Sequence, residues 1–322
     1  MLQIAMMMNS GFFPSRRARG RLITGMGFGR LACQLCITLF LSPALSAQQV
    51  DKALLWSIME GERQAGYLLG TIHSEDPRVL EFPEHFLDQL RSNQVFAMEM
   101  VPDLPTLNRL TEYMQYQDGT TLESQLGQER FVRVRAALSS YQMPAEWIAR
   151  MKVWAALMTL SVPPPETGFF MDFSLSLRAA GSGLKVVGLE TLEEQLSFLE
   201  NMPLDQQLEL LDQAVSEHGQ VREVHDRMVD SYLEDDLQAL ETEAGAQLGQ
   251  LDQAAIDYFI GQGIHARNLR MLNALLPLLE NDRVFVAVGA LHLPGELGLL
   301  ALLRQKGYRL EPEPLPFGTS KQ

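Results

Sequence analysis

The sequence predicts a mixed α/β fold with a small, mostly parallel central sheet and large helical insertions. Short apolar runs recur along the chain, and most are continuous rather than alternating, as in strands covered by helices on both faces. Stretches with apolar residues at three- and four-residue spacing lie between them, which is the period of a helix. Two intervals, at about 101–183 and 191–282, are much longer than one crossover helix needs, so we expect several helices in each.

The individual elements follow from these two patterns. The predicted strands are residues 54–59, 67–70, 95–100, 184–189 and 284–288, with a weaker sixth at 308–311. The predicted helices are residues 83–91, part of 122–140, 204–215, 221–232, 252–260, 264–279 and 295–306. The last helix is expected to begin just behind Pro294, because proline is favoured at a helix start. The prolines at 105 and 163–165 indicate turns, not domain linkers.

The first fifty residues have the composition of a secretory signal peptide. Five arginines and no acidic residue precede position 48, an apolar run follows at 31–41, and small residues at 44–47 offer a cleavage site. The apolar run is shorter than the roughly 20 residues of a membrane-spanning helix. We therefore predict a signal peptide at 1–47, one domain at 48–322, and a periplasmic or secreted product without a membrane span. A retained N-terminal anchor is the alternative, and Met26 offers a later start.

Charge and cysteine content exclude several function classes. The formal charge is −14, and it becomes −19 when the five arginines of the leader are removed. Such an acidic chain is not expected to bind nucleic acid, which requires a basic surface. Both cysteines, Cys33 and Cys36, lie in the predicted leader. The mature protein would have no thiolate for catalysis or metal binding, so any metal must bind imidazole and carboxylate groups.

Two predicted strands end in the same motif, Gly-x-x-His. The first motif runs from Gly70 to His73 and the second from Gly289 to His292, so two of six histidines share one local position. Glycine allows a sharp turn and a close approach of the backbone after the strand. Each imidazole would then project from the carboxyl end of its strand, where open α/β sheets bind ligands.

Two glutamates have the same placement. Glu99 lies inside the otherwise apolar predicted strand 95–100, and Glu190 ends the strand that begins at 184. A buried carboxylate is costly unless a cation or metal compensates its charge. If the strands are parallel neighbours, His73, Glu99, Glu190 and His292 converge at one edge of the sheet. Such a set suits zinc, manganese or cobalt. The alternative is that the histidines are structural and that Glu99 pairs with an arginine.

Three further residues have two interpretations each. Arg267 and Asn268 open the helix before the last main strand, and they could clamp a substrate carboxylate or oxyanion. Alternatively, Arg267 only pairs with Glu99. Asp172 is either a partner of the site or the N-cap of a helix. For the other four histidines we expect surface or packing roles: His85, His218, His225 and His265. Motifs of zincins, serine hydrolases, P-loop proteins and dinucleotide-binding proteins are absent from the predicted domain.

In combination, these motifs resemble the TraB/GumN family, which includes the Tiki metalloproteases. The matching residues are Tyr-Leu-Leu-Gly-Thr-Ile-His at 67–73, Glu99, Lys-Val-Trp at 152–154, Val-Gly-Leu-Glu-Thr at 187–191, Arg267 and Asn268 with Met271, Val-Gly-Ala-Leu-His-Leu-Pro-Gly at 288–295, and Gly307 with Tyr308. The resemblance implies a fold like that of the erythromycin-esterase/ChaN group. It also implies a metal-dependent hydrolase whose expected active-site residues are the two motif histidines and the strand glutamate. Peptidase activity is implied by analogy with the Tiki branch.

The leading hypothesis is an exported metal-dependent hydrolase, with a peptidase as the favoured activity and a peptide or small molecule as substrate. His73, His292 and Glu99 would bind a divalent metal (Mn, Co or Zn), Glu190 would be a ligand or general base, and Arg267 would orient substrate. The residues expected beside the bound group are Gly70, Gly289 and Asn268. One alternative is a non-catalytic periplasmic protein that binds haem or a metal. Another is an accessory factor of an envelope polysaccharide or signalling pathway. The oligomeric state is left open.

Overall fold

The computed structural model describes residues 52–248 and 251–317, and the predicted signal peptide lies outside them. The strands of the described part form one six-stranded sheet: β1 Leu55–Glu60, β2 Arg63–Thr71, β3 Val95–Met98, β4 Lys185–Gly188, β5 Val284–Gly289 and β6 Arg309–Glu313. Their order across the sheet is β4-β3-β5-β2-β1-β6. The pairs β4–β3, β3–β5 and β5–β2 are parallel, whereas β1 is antiparallel to both β2 and β6. The predicted α/β class is confirmed, and every predicted strand is present.

Strand β2 is longer than predicted because it also forms a hairpin with β1. Residues 63–66 pair with β1 before the apolar part of the strand begins. Gly61 lies in the two-residue turn with a φ of 58°, a left-handed conformation that favours glycine. Because β2 begins with polar residues such as Arg63, a search for apolar runs does not detect this part of the strand.

Several helices fill each of the two long intervals, as predicted. Two short helices link β2 to β3: α1 Pro77–Leu80 and α2 Glu84–Arg91. The interval between β3 and β4 contains α3 Leu104–Tyr113, α4 Leu122–Leu126, α5 Gln128–Leu138, α6 Ala145–Arg150, α7 Val153–Leu160 and α8 Met171–Gly181. The interval between β4 and β5 contains α9 Leu192–Glu200, α10 Leu204–Glu217, α11 Val221–Leu233, α12 Leu237–Leu248, α13 Gln253–Tyr258 and α14 Ala266–Asn281. Helix α15 Leu299–Gln305 precedes β6.

Two predictions about prolines are wrong, the helix start behind Pro294 and the turn at Pro105. The last helix begins at Leu299, not behind Pro294. A Cβ on Gly298 would lie 1.9 Å from the carbonyl oxygen of Pro294, so the chain makes a tight turn there that only glycine fits. Pro105 does not mark a turn but lies in the first turn of α3, where Asp103 accepts the backbone N–H of Thr106 as the N-cap.

A π-helical turn joins α13 to α14. It spans Phe259–His265 and makes the predicted helices at 252–260 and 264–279 one continuous helical segment. Turns of this type inside helices are frequent at functional sites. Here the turn ends two residues before Arg267, which lies in the first turn of α14.

The core lies between the sheet and the helices packed on it. Rings from α2, β3 and β5 meet in it, with Phe285 packed 5.7 Å from Phe86 and 6.1 Å from Phe96 between ring centroids. All residues of β3 and β5 are buried. The ends of these two strands are therefore held rigidly by their neighbours. Within the described ranges, no helix is both long and apolar enough to cross a membrane.

Candidate functional site

Four chemically active side chains follow the ends of four adjacent parallel strands. Thr71 of β2 pairs with Gly289 of β5, so the two Gly-x-x-His segments leave the sheet in the same register. Met98 of β3 pairs with both Ala287 of β5 and Gly188 of β4. Across the edge of the sheet, the residues that follow the strands are Glu190, Glu99, His292 and His73. The strands that carry them are thus parallel neighbours, which was the condition for their convergence.

The first glycine of each motif has a structural role in this arrangement. A Cβ on Gly70 would lie 2.9 Å from the Cα atom of Ala290 and 3.2 Å from its Cβ atom. Gly70 therefore makes room for the turn that carries His292. The backbone N–H of Gly289 donates a hydrogen bond to Glu99 Oε1 at 2.8 Å. Gly70, through its missing side chain, thus helps to position His292, and Gly289, through its backbone N–H, helps to position Glu99.

Arg267 lies at the centre of a buried ion-pair network. Its Nη2 atom is 2.8 Å from Glu99 Oε2 and 2.6 Å from Glu190 Oε2, and its Nε atom is 2.8 Å from the same Glu190 oxygen. The Arg267 side chain has no exposed surface. Of the two roles predicted for Arg267, the ion pair with Glu99 is therefore present. A role in orienting substrate stays a prediction, and the buried Nη1 atom of Arg267 has no hydrogen-bond partner in the described part of the chain.

Glu190 faces two guanidinium groups. Its Oε2 atom accepts from Arg267, and its Oε1 atom lies 3.3 Å from Arg270 Nη2. The Glu190 side chain is fully buried. In this geometry Glu190 is the counter-ion of the two arginines. Both of its oxygens already accept hydrogen bonds from a guanidinium group.

The two carboxylate oxygens of Glu99 differ in the number of hydrogen bonds that they accept. Arg267 and Gln195 both donate to Oε2, the latter at 2.9 Å. Oε1 accepts only the backbone N–H of Gly289 among the described residues, and it lies 3.8 Å from His292 Nε2. Burial raises the pKa of Glu99 to about 7, although Arg267 and the Gly289 N–H oppose the shift. The carboxylate is thus oriented with Oε1 towards the imidazole.

His292 is held by Asn268. The two atoms His292 Nδ1 and Asn268 Oδ1 are 2.5 Å apart, while Asn268 Nδ2 donates to the carbonyl oxygens of Leu297 at 2.8 Å and His292 at 3.2 Å. The imidazole is completely buried. Burial and the charge of Arg267 hold the pKa of His292 well below 6.5. Its Nε2 atom has no hydrogen-bond partner within residues 52–248 and 251–317.

His73 lies on the neighbouring strand end in a different environment. Its ring stacks on Phe170 with the centroids 3.8 Å apart, and its Nδ1 atom lies 3.8 Å from Asp172 Oδ2. The side chain remains 27% exposed. Burial lowers the pKa of His73 below 6.5. Asp172 is not the helix cap, since Phe170 occupies that position, and it accepts a hydrogen bond from the Thr71 hydroxyl. Of the two interpretations of Asp172, helix cap or partner of the site, the contacts agree with the partner of the site.

Two contacts of the site were not predicted. Gln195 could have been found, because Thr191 and Glu194 form a capping box that begins α9 and places Gln195 in its first turn. His225 of α11 lies with Nε2 3.3 Å from the carbonyl oxygen of His73. No spacing in the sequence connects His225 to residue 73, which is 152 positions away.

The donor set fits a metal only in part. Among the described residues, no group of three or more His, Cys, Asp or Glu side chains is arranged so that it could hold a metal ion. The predicted set of His73, His292 and Glu99 is therefore not assembled as a finished site. His292 Nε2 and Glu99 Oε1, however, are 3.8 Å apart. Two ligands of one zinc ion are about 3.4 Å apart when each bond is about 2.1 Å and the geometry is tetrahedral.

Fold and site together define a class: α/β proteins with imidazole and carboxylate groups at the ends of adjacent parallel strands. A model of the TraB/PrgY/gumN family matches residues 54–312. The chain belongs to this family, as the Gly-x-x-His motifs suggested.

Three relatives share about a quarter of their residues with this chain. Metalloprotease TIKI1 of Danio rerio is 24% identical over 314 residues, which cover 81% of this chain and 63% of the relative. Metalloprotease TIKI2 of Danio rerio is 25% identical over 331 residues, covering 84% and 64%. Metalloprotease TIKI2 of Xenopus tropicalis is 25% identical over 321 residues, covering 83% and 61%. The chain thus spans somewhat less than two thirds of the length of these relatives. No solved structure matches it.

Proposed function

We propose that this protein is an exported, metal-dependent hydrolase that acts on peptide bonds. The observation that carries the proposal is the buried Nε2 atom of His292, which has no partner in the described part of the chain and lies 3.8 Å from Glu99 Oε1. Burying a polar atom without a partner is costly, so its retention indicates a ligand. The name metalloprotease, borne by the relatives, supports the reaction type.

The residues that would hold the metal are His292 through Nε2 and Glu99 through Oε1, with His73 as a third donor from the next strand. Manganese, cobalt or zinc would suit imidazole and carboxylate ligands. Such an ion would supply Lewis-acid chemistry for hydrolysis of an amide bond. His73 could keep its Nδ1 contact with Asp172 and bind the ion through Nε2, as ligating histidines commonly do. Completing the set requires a shift of the strand-end segments, because no three such donors are grouped among the described residues.

The surrounding residues orient these donors. Arg267 and Gln195 hold Oε2 of Glu99, so the other oxygen is directed towards His292. Arg267 also supplies the positive charge that favours ionised Glu99 in a buried position. Phe170 covers one face of His73 and limits the access of water to that imidazole. Export is proposed from the leader-like composition of residues 1–47 alone.

Elemental analysis of the purified protein tests the metal site. We expect one divalent ion per chain in the wild type and little metal in His292→Gln and His73→Gln. His85→Gln serves as the matched control because His85 is exposed on α2, and it should retain the metal. Unchanged metal content in both site variants would contradict the assignment. Peptide hydrolysis by the wild type, lost in His292→Gln, is the expected activity, whereas metal binding without hydrolysis would favour a binding protein.

A further inference from the structure

The contacts of Asn268 determine more than the position of His292. We propose that Asn268 is a positioning residue that selects the tautomer of His292, leaving the lone pair of Nε2 directed towards Glu99. The inference rests on the proposed function, because this lone pair is the donor proposed to bind the metal. It also makes a claim about the protein without metal, so it can be tested separately.

The orientation of the Asn268 amide is determined by its surroundings. Its Nδ2 atom lies 2.8 Å from the carbonyl oxygen of Leu297 and 3.2 Å from that of His292. Carbonyl oxygens only accept hydrogen bonds, so the amide must present its NH₂ group to them. Rotating the amide by half a turn would place Oδ1 against two other oxygens. Asn268 Oδ1 is therefore the atom that faces His292.

The amide oxygen in turn determines the proton position on the imidazole. Oδ1 can only accept, and it lies 2.5 Å from His292 Nδ1, so Nδ1 must carry a hydrogen. The ring is buried beside a network in which the two guanidinium groups of Arg267 and Arg270 balance the two carboxylates of Glu99 and Glu190. An imidazolium there would add a third positive charge to two negative ones. The ring is therefore neutral, and Nε2 carries a lone pair.

Without Asn268 the opposite tautomer would be favoured. Glu99 Oε1 lies 3.8 Å from Nε2 and is an acceptor, so a hydrogen on Nε2 would be attracted to it. That hydrogen would occupy the position in which a metal binds. Partners of the second ring nitrogen generally orient a ligating histidine and raise its basicity. Asn268 would do this from the helix turn that also brings Arg267 to Glu99.

Nuclear magnetic resonance of the metal-free protein reads the tautomer directly. The full chain is labelled with ¹⁵N-histidine, without a polyhistidine tag, and the signals of His292 are assigned by their loss in His292→Gln. Long-range ¹H–¹⁵N spectra distinguish Nδ1–H from Nε2–H because the protonated and bare nitrogens have different shifts. We expect Nδ1–H in the wild type, and the finding of Nε2–H there would overturn the proposal.

Asn268→Leu removes the acceptor, and Asn273→Leu is the matched control because Asn273 is exposed on the same helix. We expect Asn268→Leu to shift His292 towards Nε2–H and the control to leave it unchanged. A wild-type spectrum in Asn268→Leu would overturn the proposal. If that variant fails to fold, the wild-type spectrum decides alone: Nδ1–H supports the role of Asn268 and Nε2–H contradicts it.

Calorimetric titration with Zn²⁺ separates this inference from the proposed function. Asn268→Leu should weaken Zn²⁺ binding about 10- to 100-fold, the usual effect of removing a group that orients a ligand. Asn273→Leu should bind as the wild type does. If the wild type binds no Zn²⁺, Mn²⁺ or Co²⁺ but has Nδ1–H, the proposed metal site fails and the positioning role stands. If it binds metal but has Nε2–H, the positioning role fails alone.

Discussion

Arg267 and Glu190 form an ion pair in which neither side chain has any exposed surface, with Nη2 and Oε2 2.6 Å apart. This pair connects the first turn of α14 to the end of β4, and Glu99 joins it from the end of β3. Removing charged groups from water costs several kcal/mol per ion, which only good geometry offsets. The network is therefore a place where the fold is sensitive to the loss of one charge.

Arg267→Met should destabilise the protein by about 3–5 kcal/mol, because two carboxylates would lose their buried counter-ion. Arg270→Met is the matched control: Arg270 also contacts Glu190, but its side chain is 35% exposed. We expect the control to cost about 1 kcal/mol or less. Urea unfolding measures both. Equal effects of the two substitutions would show that burial of the pair does not determine its contribution.

Gly70→Ala should destabilise the protein by about 1–3 kcal/mol, the range for inserting a methyl group into a packed site. The new Cβ would lie 2.9 Å from the Cα atom of Ala290, and backbone must shift to admit it. Gly181→Ala is the control, because a Cβ there would meet no atom within 4 Å. Thermal unfolding compares the two. A Gly70→Ala protein as stable as the control would refute the close approach.

Glu75→Ala should loosen the segment that leads to Phe170. Glu75 accepts the backbone N–H groups of Glu166, Thr167 and Gly168. Hydrogen bonds to a charged group contribute about 1.5–3 kcal/mol each, so hydrogen exchange at Thr167 and Gly168 should accelerate at least about tenfold. Glu81→Ala, at an exposed position nearby, should leave their exchange unchanged.

The hydrogen bonds to Glu75 also predict that the protection of this segment from exchange depends on pH. Burial raises the pKa of Glu75, but the three backbone N–H groups outweigh it and lower the pKa below 4.5. Since the pKa in the folded protein is depressed, the stabilisation is fully present above about pH 4.5. It is lost as the pH falls through the folded value. Protection factors at Thr167 and Gly168, which correct for the slower intrinsic exchange in acid, should therefore fall below pH 4, and unchanged protection factors would contradict this origin.

Glu241→Gln should stabilise the protein at pH 8 and have no effect at pH 4. Burial raises the pKa of Glu241 to about 7, and its Oε1 atom has no hydrogen-bond partner in the described ranges. The folded state therefore holds the proton more tightly, and its stability falls as the pH rises from about 4.5 to 7. We expect a gain of about 1–2 kcal/mol, because the side chain is only partly buried.

The matched control for this substitution is Glu243→Gln on the same helix. Glu243 lies 3.4 Å from Arg227, so its neutralisation should be neutral or slightly destabilising at pH 8. Urea unfolding at both pH values separates the two carboxylates. A gain from Glu241→Gln that is the same at pH 4 and pH 8 would show that the charge of Glu241 is not the cause.

The strand-end residues were predictable because their signals are local. Short apolar runs, most of them continuous, located the strands of the described sheet, and the residue after each run is read directly from the sequence. The pairing of Arg267 with Glu99 was one of two open interpretations. The use of Glu190 as a counter-ion was missed, because the carboxylate has two partners on α14, 77 and 80 residues further along the chain.

The sequence by itself determined the α/β class, the strands and the four polar side chains at their ends, because apolar periodicity and Gly-x-x-His motifs are properties of neighbouring residues. Only the tertiary structure decided which atoms of those side chains are free. Arg267 and Arg270 occupy the oxygens of Glu190, whereas His292 Nε2 remains unpaired among the described residues. The physical reason is that hydrogen bonding and burial depend on groups brought together from distant parts of the chain, and local sequence does not contain their geometry.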